Sequence, residues 1–293
     1  MKRHASLLAL GILLIMYMVG VAGHLSSAFY PLMLTLTPWI LLSFALVTLG
    51  QTVLSSGRSA LQKRRILIWV LITWIMTYGL EVLGVKTGLV FGEYSYGGTL
   101  GPQIFDVPVI IGLNWVIIVY GLAESLRTAR SSLLLGLVLV PAGAVFFDFF
   151  LEPVAMSRLD YWSWAGPEVP LHNYIAWALI SFVFAVLYFW MVPSGPSRGP
   201  AVRYAAGAPT SEYHSANTDP GLLAGAGVTA RAGEGEVHNG GAGQKAGAGD
   251  GAAASALERI SRRARRYFPG LYVIIQFLFI LALNLLLPLL GTL

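Results

Sequence analysis

The chain has no cysteine, which excludes disulfides, thiolate metal sites, thiol nucleophiles and iron-sulfur clusters. Charge is scarce as well: Asp, Glu, Lys and Arg make up 11% of 293 residues and hydrophobic residues 56%, so an ordinary soluble domain is excluded. Five histidines and 14 carboxylates remain as the groups able to do acid–base chemistry. The net charge is +5, but the basic residues flank apolar runs rather than forming an aromatic-laced groove, and no nucleic-acid partner is expected. No nucleotide-binding motif is present.

Seven apolar runs are long enough to cross a hydrocarbon layer of about 30 Å. They lie near Ala5 to Ala22, Leu32 to Leu54, Ile66 to Val85, Val107 to Leu126, Leu133 to Leu151, Asn173 to Val192 and Leu271 to Leu290. Their continuity favours helices over an alternating barrel, so the expected class is an all-α, polytopic membrane protein. With the N-terminus inside, 17 of the 19 Lys and Arg fall on the cytoplasmic side and only Lys86 and Arg158 outside. That asymmetry predicts an N-in, C-out chain in the inner membrane. A cleavable leader is the other reading of the first span, because Lys2 and Arg3 precede an apolar run ending in small residues at Gly20 to Gly23.

Residues 1–192 thus read as a six-helix membrane domain. Residues 193–255 hold 14 of the 33 glycines, five prolines and no Ile, Phe or Trp. Such a stretch cannot bury enough apolar area to order itself and reads as a flexible cytoplasmic loop. Leu257, Ile260, Ala264 and Phe268 then recur at helical spacing opposite Arg259, Arg262, Arg263, Arg265 and Arg266. This pattern predicts a basic interfacial helix over 256–268, lying on lipid headgroups ahead of a seventh span at 271–290.

An internal duplication relates spans three and four to spans five and six. Glu81 is followed twelve residues later by Glu93 and then Tyr94, Ser95 and Tyr96; Asp148 is followed twelve residues later by Asp160 and then Tyr161, Trp162, Ser163 and Trp164. Val107-Pro108 and Val169-Pro170 each open a helix with a tryptophan, Trp115 or Trp177, seven residues past the proline. Both hairpins run in the same sense, which predicts a parallel repeat about an axis along the membrane normal.

Glu81, Glu93, Asp106, Asp148, Glu152, Asp160 and Glu168 all fall at or near the outer ends of spans three to six, and Glu124 alone at an inner end. Asp148 and Glu152 share a helix face, Asn114 and Asn173 follow the two Val-Pro pairs, and His172 adjoins the second amide. A polar pocket near the outer leaflet is expected, since ionisable residues inside a membrane mark function. Tyr94, Tyr96, Tyr161, Trp162 and Trp164 sit where an interfacial aromatic belt anchors. Phe146, Phe147, Phe149, Phe150 and Trp115 lie deeper, to pack or to offer ring faces to a cation.

The segments Glu81 to Tyr96 (EVLGVKTGLVFGEYSY), Phe147 to Ala155 (FDFFLEPVA) and Val169 to Trp177 (VPLHNYIAW) resemble the membrane carotenoid biosynthesis family, which contains bacterial carotenoid 1',2'-hydratases and haloarchaeal bisanhydrobacterioruberin hydratases. The resemblance covers roughly Ile66 to Val192. It implies addition of water to the terminal isoprenoid double bond of an acyclic carotenoid, without cofactor or metal. It also implies membrane lipids as surroundings, and association with other carotenoid enzymes is admitted. Alkene protonation by a carboxylic acid would give a tertiary carbocation, which an oriented water would capture. A carboxyl stays protonated where burial penalises its charge, and two close carboxyls divide into acid and base. Glu81 and Asp148 are expected in those roles, with Glu152, His172, Asn114 and Asn173 orienting water. Tyr94, Tyr96, Trp115, Phe147, Trp164 and Trp177 are expected to bind the substrate. The alternatives are a membrane lycopene cyclase, which traps the same cation with an internal double bond, and a proton-coupled transporter or channel. Acids clustered at one end and a parallel repeat speak against the transporter. A retinal protein is disfavoured because the last span has no lysine.

Overall fold

The computed structural model describes residues 5–54, 58–193 and 247–288. In chain order these form α1 (Ala5–Leu25), α2 (Tyr30–Leu54), α3 (Ala60–Thr87), β1 (Tyr94–Tyr96), β2 (Gln103–Ile104), β3 (Val107–Pro108), α4 (Ile110–Thr128), α5 (Leu133–Ser157), β4 (Trp162–Trp164), α6 (Leu171–Met191) and α7 (Gly247–Leu286). All seven helices contain a stretch long and apolar enough to cross a membrane. Their outward faces carry exposed apolar side chains such as Leu71, Ile75, Leu134, Val138, Leu179 and Val183, the surface a lipid-embedded helix presents.

Local chemistry sets the helix ends. The α3 helix begins six residues before its apolar run because Ser59 and Gln62 form a capping box, each side chain accepting from the other's backbone N–H. It stops at Gly88, whose φ of 67° is the left-handed conformation that glycine adopts without penalty. At Val107-Pro108 the structure departs from expectation: the pair forms strand β3, and α4 starts only at Ile110. The cause is a two-residue hairpin, Phe105 and Asp106 at φ 55° and 65°, which folds β3 back onto β2. Pro170, by contrast, stands directly before α6 as its N-cap. The α5 helix runs past Leu151 to Ser157 and so carries Glu152 on a regular turn.

The segment read as a flexible loop lies outside the described residues from 194 to 246. From Gly247 the chain is helical, because Ala248 and Ala252 to Ala254 are strong helix formers. The basic stretch 256–268 is not a separate helix: α7 continues through it and through Pro269 into the last span, Tyr267–Leu286.

Helix α4 is the centre, with 67% of its span buried against 22–39% for the other six. In lipid, helix association depends on close packing and interhelical hydrogen bonds rather than on burial from water. Gly121 supplies the first, since a Cβ there would lie 2.8 Å from the Pro269 carbonyl oxygen of α7. The second comes from Trp69 Nε1, which donates to the Phe184 carbonyl at 3.0 Å, and Asn284 Nδ2, which donates to the Phe150 carbonyl at 2.7 Å. Such bonds are worth about 0.6–1.7 kcal/mol each.

Candidate active site

The loops after α3 and α5 meet in an antiparallel ribbon, with Tyr94 opposite Trp164, Ser95 opposite Ser163 and Tyr96 opposite Trp162. At its ends Gly97 N–H donates to the Tyr161 carbonyl and Ala165 N–H to the Glu93 carbonyl, both at 2.9 Å. The two donors, Gly97 and Ala165, are 68 positions apart, as are the two acceptors, Glu93 and Tyr161, whereas Glu93 and Asp160 are 67 apart. Tyr161, not Asp160, therefore occupies the place that matches Glu93. Asp160 is an exposed turn residue at φ 48°, and its carboxylate accepts from Gly98 N–H. Glu93 and Glu168 are also exposed, and Asp106 pairs with Lys86 on the surface.

Strand alternation leaves Ser95 and Ser163 outside and turns the four aromatic residues inward. The Tyr94 and Tyr96 hydroxyls donate to Glu81 Oε2 at 2.6 and 2.7 Å, and Trp115 Nε1 donates to Oε1 at 2.7 Å. In the other half, Trp162 and Trp164 Nε1 donate to Glu152 Oε2 at 2.8 and 3.0 Å. Asn173 Nδ2 bridges to Asp148 Oδ2 at 2.8 Å and Glu152 Oε1 at 3.4 Å. Asp148 Oδ1 is buried without a partner. All three carboxyls are nearly sealed from solvent, at 5%, 1% and 2% exposure for Glu81, Asp148 and Glu152. Burial, reinforced by the Glu81 carboxyl, pushes the Tyr94 and Tyr96 phenols well above their ordinary range, so both remain protonated donors.

These groups open into one cavity enclosing about 1180 Å³ of empty space, counting its mouth. Trp115 and Trp177 line it and stack on each other, ring centroids 4.0 Å apart and 27° between planes. No lysine or arginine is among the residues lining it. Among the described residues, no group of three or more His, Asp or Glu is placed to hold a metal ion. The arrangement offers carboxyls in mixed hydrogen-bonding states, aromatic faces and amides around an apolar space, which suits proton transfer to an apolar substrate.

Residues 10–216 match the family described as carotenoid biosynthesis protein. The chain belongs to the carotenoid biosynthesis protein family. This family match runs from within α1 through α6. A bisanhydrobacterioruberin hydratase from Haloarcula japonica is 31% identical over 147 residues, 46% of this chain. The match spans about half of that relative's length, 48%. No solved structure matches.

In this carotenoid biosynthesis protein the cavity gathers Glu81, Asp148, Glu152, Asn114 and Asn173, together with Tyr94, Tyr96, Trp115, Phe147, Trp164 and Trp177. His172 does not join them: it is exposed in the first turn of α6, beside Gly92. Sequence reasoning confined the site to spans three to six, yet His24 and Tyr17 of α1, Thr37 of α2 and Gln276 and Phe279 of α7 also line it. His24 carried a usable signal, an imidazole in the last turn of an otherwise apolar helix.

Proposed function

We propose that this protein is a carotenoid hydratase that adds water to the terminal isoprenoid double bond of an acyclic carotenoid, in the inner membrane. Asp148 is the acid. The observation that carries this reading is that, of the six carboxyl oxygens of Glu81, Asp148 and Glu152, only Asp148 Oδ1 lacks a donor. A charged oxygen buried without a partner is costly, whereas a protonated one needs no donor and presents its hydrogen to the substrate. Oδ1 gives its proton to the alkene, leaving a tertiary carbocation. Glu81 and Glu152, each held by three donors, act as fixed carboxylates that stabilise the cation, and the stacked Trp115 and Trp177 offer their faces to it. A water in the cavity that Asn114 and Asn173 line adds to the cation and, on losing a proton, forms the alcohol. Polar amides beside the acid favour capture by water over capture by an internal double bond.

The two hairpins are read as a parallel repeat about an axis along the membrane normal. The reciprocal ribbon bonds and the Trp115–Trp177 stack support it, and the charge asymmetry supports N-in, C-out orientation with the cavity near the outer leaflet. The haloarchaeal relative's name supports hydration as the reaction class. Expression in a lycopene-accumulating host, followed by product masses, tests the reading. Each modified end should gain one water, with label from heavy-oxygen water; label from oxygen gas sinks the mechanism.

A further inference from the structure

His24 lies in the last turn of α1, is 8% exposed, and lines the cavity that holds Glu81, Asp148 and Glu152. Its Nδ1 is 2.7 Å from the Gly20 carbonyl oxygen, one helical turn back. A carbonyl oxygen only accepts, so Nδ1 carries the hydrogen, and in the neutral ring Nε2 keeps a lone pair. Nε2 is buried and has no partner. The ring is held edge-on by Tyr30 and Phe279, with centroids 6.1 and 5.7 Å away. Phe279 and its neighbour Ile280 also pack in the cluster around Phe147, next to Asp148 in sequence, so a continuous apolar wall joins the imidazole to the acid's surroundings. An orphaned buried acceptor is destabilising unless something that enters the cavity satisfies it. Water is the simplest such donor.

We propose that His24 is the base of the hydration step. Nε2 holds the water that attacks the tertiary cation and takes one of its protons as the carbon–oxygen bond forms. The balance closes within the cavity: Asp148 loses a proton to carbon, water loses one to His24, and the imidazolium returns it through cavity water to the Asp148 carboxylate. This inference rests on the hydratase reading, in which Asp148 makes the cation; it adds the group that receives the proton. Glu81 and Glu152 are poorer acceptors for that proton, because their oxygens already hold phenol, indole and amide donors.

The test is conversion of lycopene in D₂O by wild type, His24→Phe and His24→Gln, each normalised to membrane-inserted protein. The phenylalanine keeps the ring contacts and removes the acceptor; the glutamine restores an acceptor. His24→Phe should lose alcohol formation by about 100-fold or more. Asp148 should still make the cation, which then loses a proton from a neighbouring carbon back to the Asp148 carboxylate. Recovered lycopene should therefore gain deuterium at its ends without gaining oxygen. His24→Gln should recover part of the alcohol. Two results overturn the inference while leaving the hydratase reading intact: near-wild-type alcohol from His24→Phe, or loss of both alcohol and deuterium exchange in it. A wild-type protein that forms no alcohol overturns the hydratase reading itself, and this inference with it.

Discussion

Two buried carboxyl sites share α4 and are built in opposite ways. Near the helix's C-terminal end Glu124, 2% exposed, pairs with Arg58 and Arg127 and accepts from the Tyr188 and Thr128 hydroxyls. Nine residues earlier, about 13 Å along the axis, Trp115 reaches the trio of Glu81, Asp148 and Glu152, whose partners are phenols, indoles and one amide. Two guanidinium groups pair with Glu124, so it serves as an anchor. The trio has no cationic partner, which is what the proposed proton transfer from Asp148 requires. Burial alone does not mark a reactive carboxyl; the kind of partner does.

The sharpest way to break this contrast is Asp148→Asn, which keeps shape and the Asn173 neighbourhood but removes the acid. Conversion of carotenoid per inserted protein should fall by about 10² to 10⁴; near-wild-type turnover would make the trio as inert as Glu124. The opposite signature is expected of Glu124→Gln. The two guanidiniums left without their anion are partly exposed, so the cost should stay below the roughly 3–5 kcal/mol of a fully buried pair, but thermal unfolding in detergent and inserted yield should still suffer while turnover per inserted molecule holds. A larger effect on turnover than on stability would assign Glu124 to the chemistry instead. Glu81→Gln should come next, slowing turnover by about 10-fold to 100-fold through loss of the fixed charge. Tyr94→Phe and Tyr96→Phe should cost less than Glu81→Gln, because each leaves Glu81 with two of its three donors. The smallest effect concerns pH. Since burial and Glu81 push both phenols up, they remain donors through about pH 10. The alkaline side of the activity profile should then be the same in Tyr94→Phe as in wild type, and a displaced limb would show that the phenol titrates in that range.

The seven spans were legible because a hydrocarbon layer demands a run length that few other structures need; the helices depart from those runs at their ends, as at the Ser59 cap of α3, past Leu151 in α5 and through the basic stretch of α7. Glu81 and Asp148 stood out as acids inside apolar runs, and Glu152 by sharing a helix face with Asp148. The ribbon was not legible: three-residue strands leave no periodic pattern, and Tyr94 to Tyr96 reads equally well as a membrane-interface belt. The proposed duplication took its frame from matched acids, which place Asp160 against Glu93. The backbone follows the strands instead and moves the frame by one residue. His24 stood out as an imidazole in an apolar helix, but that its Nε2 is unpaired and lines the cavity is a property of packing, which sequence does not show.

The inward and outward alternation of β1 and β4 has a consequence for how this chain tolerates change in length. In a strand, adding or deleting one residue turns every following side chain to the opposite face. One such event in Tyr94–Tyr96 would put a serine where a phenol meets Glu81, and one in Trp162–Trp164 would strip the indoles from Glu152. The Phe105–Asp106 hairpin tip is exposed and carries only the surface Lys86–Asp106 pair, so a length change there costs far less. Insertions and deletions between natural variants should therefore collect at that tip and be missing from the two strands, even where the strand residues themselves are exchanged.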